Sequence, residues 1–240
     1  MLSVHGISAG YGKMHIINEI SLEAPDGEVT VIVGPNGSGK STLLKTIAGL
    51  TTIYDGGVYL DGAKISGLAA HEIAKRGLAY LPQTESVFTQ LTVAENFKMA
   101  GYTVPDEEFD SRLKIGLDMF PQLTNYLKSK VQNLSGGERQ MVAMTMALLR
   151  KPKVVMLDEP TANLSPKLAT EVLRKIVDLP KSLGITVLLV EQNAKKALEL
   201  GDRAYLLVGG KKVFDGSAKD LLAHQELSRM YLGLKPAAAE

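Results

Sequence analysis

VTVIVGPNGSGKSTLLKTIA, Val29 to Ala48, is the stretch on which the fold turns. Val29–Val33 is a short run of β-branched residues, the composition of a buried strand. The nine residues that follow are Gly34, Pro35, Asn36, Gly37, Ser38, Gly39, Lys40, Ser41 and Thr42. They match G-x-x-x-x-G-K-S/T, the pattern of a phosphate-binding loop, which requires a strand before it and a helix after it. Leu43, Leu44, Ile47 and Ala48 then share one helical face. Each part has a chemical reason. Gly34, Gly37 and Gly39 let the backbone curl so that successive N–H groups face anionic oxygens. Lys40 can reach the β- and γ-phosphates of a nucleotide, Ser41 can offer its hydroxyl to Mg²⁺, and the new helix presents its positive end. A glycine turn with an incidental lysine is the plain alternative, and the flanking strand and helix argue against it.

Outward from that loop the chain alternates. Leu2–Ile7 and Ile16–Leu22 read as strands before the turn Pro25-Asp26-Gly27, and Val58–Leu60 with Asp61-Gly62 reads as a strand and hairpin turn. Leu78–Leu81, Val154–Leu157 and Ile185–Val190 are further short apolar strands, and Pro166–Val177 is a helix with Ser165 as N-cap. Between Pro82 and Asn133 the character turns helical: Thr92 and Glu95 make a capping box, and helical patterns cover Phe109–Met119 and Gln122–Leu127. The expected fold is α/β, a mainly parallel core sheet covered by helices, with a helical subdomain inserted over residues 83–133.

The 240 residues suit one large domain or two small ones. A net charge of +1, with no basic stripe interleaved with aromatics, gives no sign of nucleic acid as a partner. Without cysteine there is no disulfide framework or thiolate metal site, which fits a reducing compartment. The start MLSVHGISAGYGK lacks the pattern of a signal peptide, and no apolar run approaches the ~20 residues of a membrane span. The expectation is a chain soluble by itself that can dock on a membrane protein. The four histidines show no metal-ligand spacing.

Two strands end in polar groups. VVMLDEP, Val154 to Pro160, puts Asp158 where a carboxylate can hold Mg²⁺ through water and Glu159 where one can accept a proton from an attacking water. VLLVEQN, Val187 to Asn193, stops at Glu191, Gln192 and Asn193. A third motif, LSGGERQ from Leu134 to Gln140, opens a helix with Ser135 and Glu138 as a capping box. Gly136 and Gly137 at its start expose N–H groups to an anion, a second phosphate-binding surface.

Phosphate loop, LSGGERQ and LDEP in this order resemble the ATP-binding subunits of ABC transporters, over residues 2 to 234. That resemblance implies one ABC ATPase domain over 1–240. It would comprise a P-loop core with an antiparallel β subdomain over 1–82 and 134–240, the helical subdomain over 83–133, and a loose tail at 235–240. It implies that Tyr11 stacks on the adenine of ATP, that Gln83 touches Mg²⁺ and signals to the membrane subunit, and that the helical insert docks that subunit. It also implies that Ser135, Gly136, Gly137 and Glu138 reach the ATP of a second ABC ATPase subunit, identical or different, across a dimer. Leu164-Ser165-Pro166 would lie at that interface.

In most of the family the strand after LDEP ends in a histidine that contacts the γ-phosphate; here Gln192 stands in that place. Glutamine donates a hydrogen bond but cannot become a cation. The run VEQNAKKALELGDRAYLLVGGKKVFDG, with PQTESVFTQLTVAENF and HQELSRMYLG, is similar to the subunits of branched-chain or hydrophobic amino-acid importers that carry VEQN. Asn163, where that branch commonly has glycine, is a minor departure. Partners implied are transmembrane permease subunits and, indirectly, a substrate-binding protein, with the chain peripheral on the inner face of the cell membrane. A lipopolysaccharide-exporter ATPase, or a soluble ABC ATPase of the iron–sulfur assembly type, is the alternative.

Overall fold

The computed structural model describes residues 1–84, 86–162 and 164–233. Asn163 and the tail over 235–240 lie outside the described residues. Val29–Val33 is a strand within those bounds and is buried along its whole length. Val29, Val31 and Val33 enter one apolar core and Ile32 enters another. Val187 and Leu189 alternate with Leu188 and Val190 in the same way, as do Val155 and Leu157 with Val154 and Met156. Strands buried on both faces need covering layers on both sides, and the rest of the chain supplies them.

Strands β1 (Leu2–Tyr11), β2 (Met14–Ala24), β4 (Thr52–Leu60) and β5 (Ala63–Lys64) form an antiparallel sheet in the order β2-β1-β4-β5. Strands β3 (Val29–Val33), β6 (Leu78–Leu81), β7 (Val154–Asp158), β8 (Thr186–Val190), β9 (Arg203–Val208) and β10 (Lys211–Ser217) form a second sheet, ordered β10-β9-β3-β8-β7-β6. It is parallel except for the β9–β10 pair. The expected mainly parallel sheet with an antiparallel companion is what forms.

Helix α1 (Lys40–Ile47) carries Leu43, Leu44 and Ile47 into the core shared by the two sheets, so it lies between them. Helix α2 (Ala70–Lys75) adds Ile73 to the same core. The opposite face is covered by α5 (Gly136–Leu149), α6 (Pro166–Leu183) and α7 (Ala194–Leu200), joined there by α3 (Val93–Ala100) and α4 (Asp106–Met119). Thr92 caps α3 through the foreseen box: Thr92 N donates to Glu95 Oε2 at 2.7 Å and Glu95 N to Thr92 Oγ1 at 3.2 Å.

Three expectations about elements change. Gln122–Leu127 is not α-helix; residues Pro121–Tyr126 form a 3-10 helix after Phe120, whose extended φ of −129° breaks the path from α4. Helix α6 continues past Val177 to Leu183, through Pro180, and stops at Gly184 with φ 68°. A proline removes one intrahelical bond, and the fully buried Leu179 keeps the last turn on the core. Strands β1 and β2 extend beyond the apolar runs and meet at a hairpin, with Tyr11 paired to Met14.

Candidate functional site

Strand β8 lies between β3 and β7, and the register sets Val190 level with both Ile32 and Asp158. The segments leaving these strands, from Gly34, Glu159 and Glu191, therefore open on one rim. This is the carboxyl edge where open α/β sheets hold ligands.

The loop from Gly34 to Thr42 can be made only by a few residue types. Gly34 has φ 150°, and a Cβ there would stand 2.1 Å from the Leu207 carbonyl oxygen and 2.9 Å from Ser38 Oγ. Ser38 Oγ is buried without a hydrogen-bond partner among the described residues. Lys40 is only 6% exposed, and its Nζ donates to the carbonyl oxygens of Gly34 and Pro35, both at 2.9 Å. Burial pushes the Lys40 ammonium below its ordinary range, while Glu159 and Asp158 pull it back. A partnerless hydroxyl and an ammonium resting on two neutral carbonyls make a donor set that fits a phosphate chain.

Ser41 Oγ donates to Asp158 Oδ1 at 2.9 Å, and Tyr80 Oη donates to Asp158 Oδ2 at 3.2 Å. Asp158 is 3% exposed, so both carboxylate oxygens are held in place. Burial and the neighbouring carboxylate push the Tyr80 phenol above its ordinary range, which keeps it a donor. No cluster of three or more His, Asp or Glu that could hold a metal occurs among the described residues. Ser41 and Asp158 offer a small set of hard oxygens, which fits Mg²⁺, an ion that keeps several waters and takes phosphates as further ligands.

Glu159 follows Asp158 with φ 49°, a left-handed backbone rare outside glycine. Its N–H donates to the Val190 carbonyl at 2.8 Å, and its Oε2 accepts from Gln83 Nε2 at 2.9 Å. Gln192 is exposed just beyond β8. Asn193 beside it caps α7, its Oδ1 accepting from Lys196 N at 3.2 Å.

Tyr11 is 45% exposed at the β1–β2 hairpin, its ring available for a stacking partner. The second strand of that hairpin runs beside the loop: a Cβ at Gly39 would meet Ile17 Cγ2 at 2.7 Å. Ser135 and Glu138 make the foreseen box, Ser135 N donating to Glu138 Oε2 at 2.7 Å and Glu138 N to Ser135 Oγ at 3.3 Å. That backbone bond, foremost, holds the Glu138 carboxyl below its ordinary range. Gly136 faces open space, whereas a Cβ at Gly137 would stand 2.1 Å from Leu168 Cδ2, so Gly137 also has a packing reason to be glycine. Among the described residues no hydrogen bond joins this turn to the Gly34–Thr42 loop of the same chain.

Four residues here were not singled out for a role from the sequence. Tyr80 holds Asp158. Tyr54 ties the Tyr11 hairpin by donating to Gly12 O at 3.0 Å and Met14 O at 3.1 Å. Glu191 and Thr161 pair across two loops. A polar residue inside an apolar strand end is the only sequence sign of Glu191. Beside the site, a groove of about 450 Å³ is lined by residues that include Leu50, Ile73, Tyr80, Phe88, Met99 and Arg150. Leu50, Phe88 and Met99 are each about half exposed. No helix among the described residues is long and apolar enough to cross a membrane.

A model of the ABC transporter family matches residues 17–162. The "Probable branched-chain amino acid transport ATP-binding protein LivF" of Archaeoglobus fulgidus is 50% identical over 98% of this chain and 99% of its own length. The "High-affinity branched-chain amino acid transport ATP-binding protein BraG" of Pseudomonas aeruginosa is 37% identical over 97% and 100%. The "Lipopolysaccharide export system ATP-binding protein LptB" of Haemophilus influenzae is 31% identical over 97% of each. Among solved structures, an ATP-binding cassette of an ABC transporter in its ADP conformation superposes with a TM-score of 0.85 at 27% identity, covering 98% of this chain and 99% of that one.

Proposed function

The chain belongs to the ABC transporter family, and from that premise we propose how its ATPase site works and what it helps to move. ATP hydrolysis coupled to transport is the reaction. The order β3-β8-β7 supports one site, with the phosphate loop on one side, Asp158 and Glu159 on the other, and Gln192 between them. In this reading the loop N–H groups, Ser38 and Lys40 hold the phosphates, and Tyr11 stacks on the base. Ser41, Asp158 and the amide oxygen of Gln83 would hold Mg²⁺, which when bound spreads the charge of the β- and γ-phosphates. Glu159 takes the proton of the attacking water. Ser135 to Glu138 complete the ATP site of a second subunit, which accounts for their separation from the loop of their own chain.

Gln192 stands beside the γ-phosphate as a neutral donor. Gln192→His supplies a group that can carry charge there, and charge-assisted hydrogen bonds are about twice as strong as neutral ones. Turnover is expected to rise roughly threefold or more, with ATP affinity within about twofold, a split that steady-state kinetics reads directly. Unchanged turnover would leave Gln192 as only the polar end of β8.

The transported class we propose is branched-chain amino acids. The observation that carries it is the 50% identity, over almost the full length of both chains, to the Archaeoglobus protein named as a probable branched-chain amino acid transport ATP-binding protein; the exporter relative stands at 31%. The half-exposed apolar groove beside Tyr80 is the proposed seat of a permease segment, at the inner face of the membrane. Tagged chain recovered from native membranes should bring down multi-span permeases and a second ATPase. The reconstituted complex should hydrolyse ATP faster with leucine-loaded binding protein. Recovery of soluble partners only, or stimulation by lipopolysaccharide instead, would overturn the assignment.

A further inference from the structure

Glu191 is a carboxylate that the mechanism above does not use, and it is 3% exposed. Burial pushes its carboxyl above the ordinary range; the Thr161 donors pull it part of the way back, and Glu159 adds to the rise. An anion held there is a standing cost that an apolar residue of similar volume would avoid. What the carboxylate does is specific: Oε1 accepts from Thr161 N at 3.1 Å and from Thr161 Oγ1 at 2.8 Å. Thr161 lies two residues after Glu159, whose left-handed φ of 49° persists only where its surroundings over-determine it. The Glu159 N–H is tied to Val190, and Val190 immediately precedes Glu191. The loop leaving β7 is thus fastened to the end of β8 on both sides of its strained turn.

We propose that Glu191 is a positioning residue: by clamping Thr161 it holds the backbone of Glu159 in its left-handed form and fixes that carboxylate relative to Gln192 on the adjoining strand end. The clamp rests on the reading of Glu159 as the base. Its effect should fall on the chemical step, because displacing a reacting group by about 1 Å can slow a reaction ~10²-fold without loosening the substrate.

The test is a cycle in the full chain with Glu191→Ala, Thr161→Val and both together, with Glu191→Gln as the conservative variant. Glu191→Ala should lower kcat about 10- to 100-fold with KM for ATP within about twofold. Thr161→Val, which removes only the hydroxyl, should lower kcat by less and add nothing once Glu191 is gone. Glu191→Gln keeps an oxygen for both Thr161 donors and should recover most of the rate. A kcat near wild type in folded Glu191→Ala, multiplicative losses in the double variant, or no recovery with glutamine would each overturn the clamp. If Glu191→Ala fails to fold, unchanged kcat in Thr161→Val does the same. Failure of the base reading shows separately, as undiminished hydrolysis in Glu159→Gln.

Discussion

Glu159→Gln is expected to lower ATP hydrolysis at least about 10²-fold, the usual contribution of a positioned general base, while ATP binding survives. The substitution isolates the base. Glutamine has nearly the volume of glutamate and retains an oxygen that can accept from Gln83, as Glu159 Oε2 does at 2.9 Å. The backbone bond from residue 159 to Val190 does not depend on the side chain. The phosphate loop, Lys40 and Ser41 are untouched, so nucleotide affinity should stay within about twofold of wild type. ATP that binds but is not cleaved should accumulate the closed dimer, visible as an ATP-dependent shift in size-exclusion chromatography beside a flat phosphate-release trace. Hydrolysis above a tenth of the wild-type rate would remove Glu159 from the role of general base.

The candidate site was legible where its parts are contiguous in sequence and illegible where they are not. Val29 to Ala48 contains strand, loop and helix in one run, and the structure keeps those bounds almost to the residue. Leu78–Leu81 was equally clear, an apolar run buried at both ends. The capping box of Ser135 and Glu138 could be read because both partners lie within one turn. Tyr80 and Asp158 are 78 residues apart, and Thr161 and Glu191 are 30 apart; no local pattern connects either pair. Gly137 illustrates a partial reading. The sequence offers a reason for it in exposed N–H groups, but the approach of Leu168 from α6 is visible only once the helices pack. At Gln122–Leu127 the spacing of apolar residues does not separate an α-helix from a 3-10 helix over so few residues, and Pro121 with the Thr124 hydroxyl on its carbonyl favours the tighter turn. The sequence marks β1 and β2 only by their apolar runs, and the hairpin continues beyond those runs through Gly10. A Cβ at Gly10 would stand 1.9 Å from the Met14 carbonyl, so glycine is needed inside the strand itself.

Lys40→Met should have the opposite signature to Glu159→Gln, weakening binding instead of chemistry. Methionine keeps most of the unbranched stem that lies buried in the loop, so packing is largely preserved. What goes is the ammonium that donates to Gly34 O and Pro35 O. For the fold alone the two consequences nearly cancel. Two charge-assisted bonds are lost, but so is the desolvation of a buried cation, the cause that pushes the Lys40 ammonium below its ordinary range. The melting temperature without nucleotide should therefore move by only a few degrees. Toward ATP there is no such cancellation, because the phosphates bring the charge that a buried ammonium lacks. Removing one charged donor forfeits roughly 1.5–3 kcal/mol per bond, and two such bonds to phosphate oxygens correspond to about 10²-fold or more in affinity. Titration with a fluorescent ATP analogue should find that loss in a protein that melts normally. Near-normal affinity in Lys40→Met would mean that the phosphates are not held at this loop, whatever the match of its sequence. A protein that melts far lower would mean that Lys40 serves chiefly to fasten the loop carbonyls.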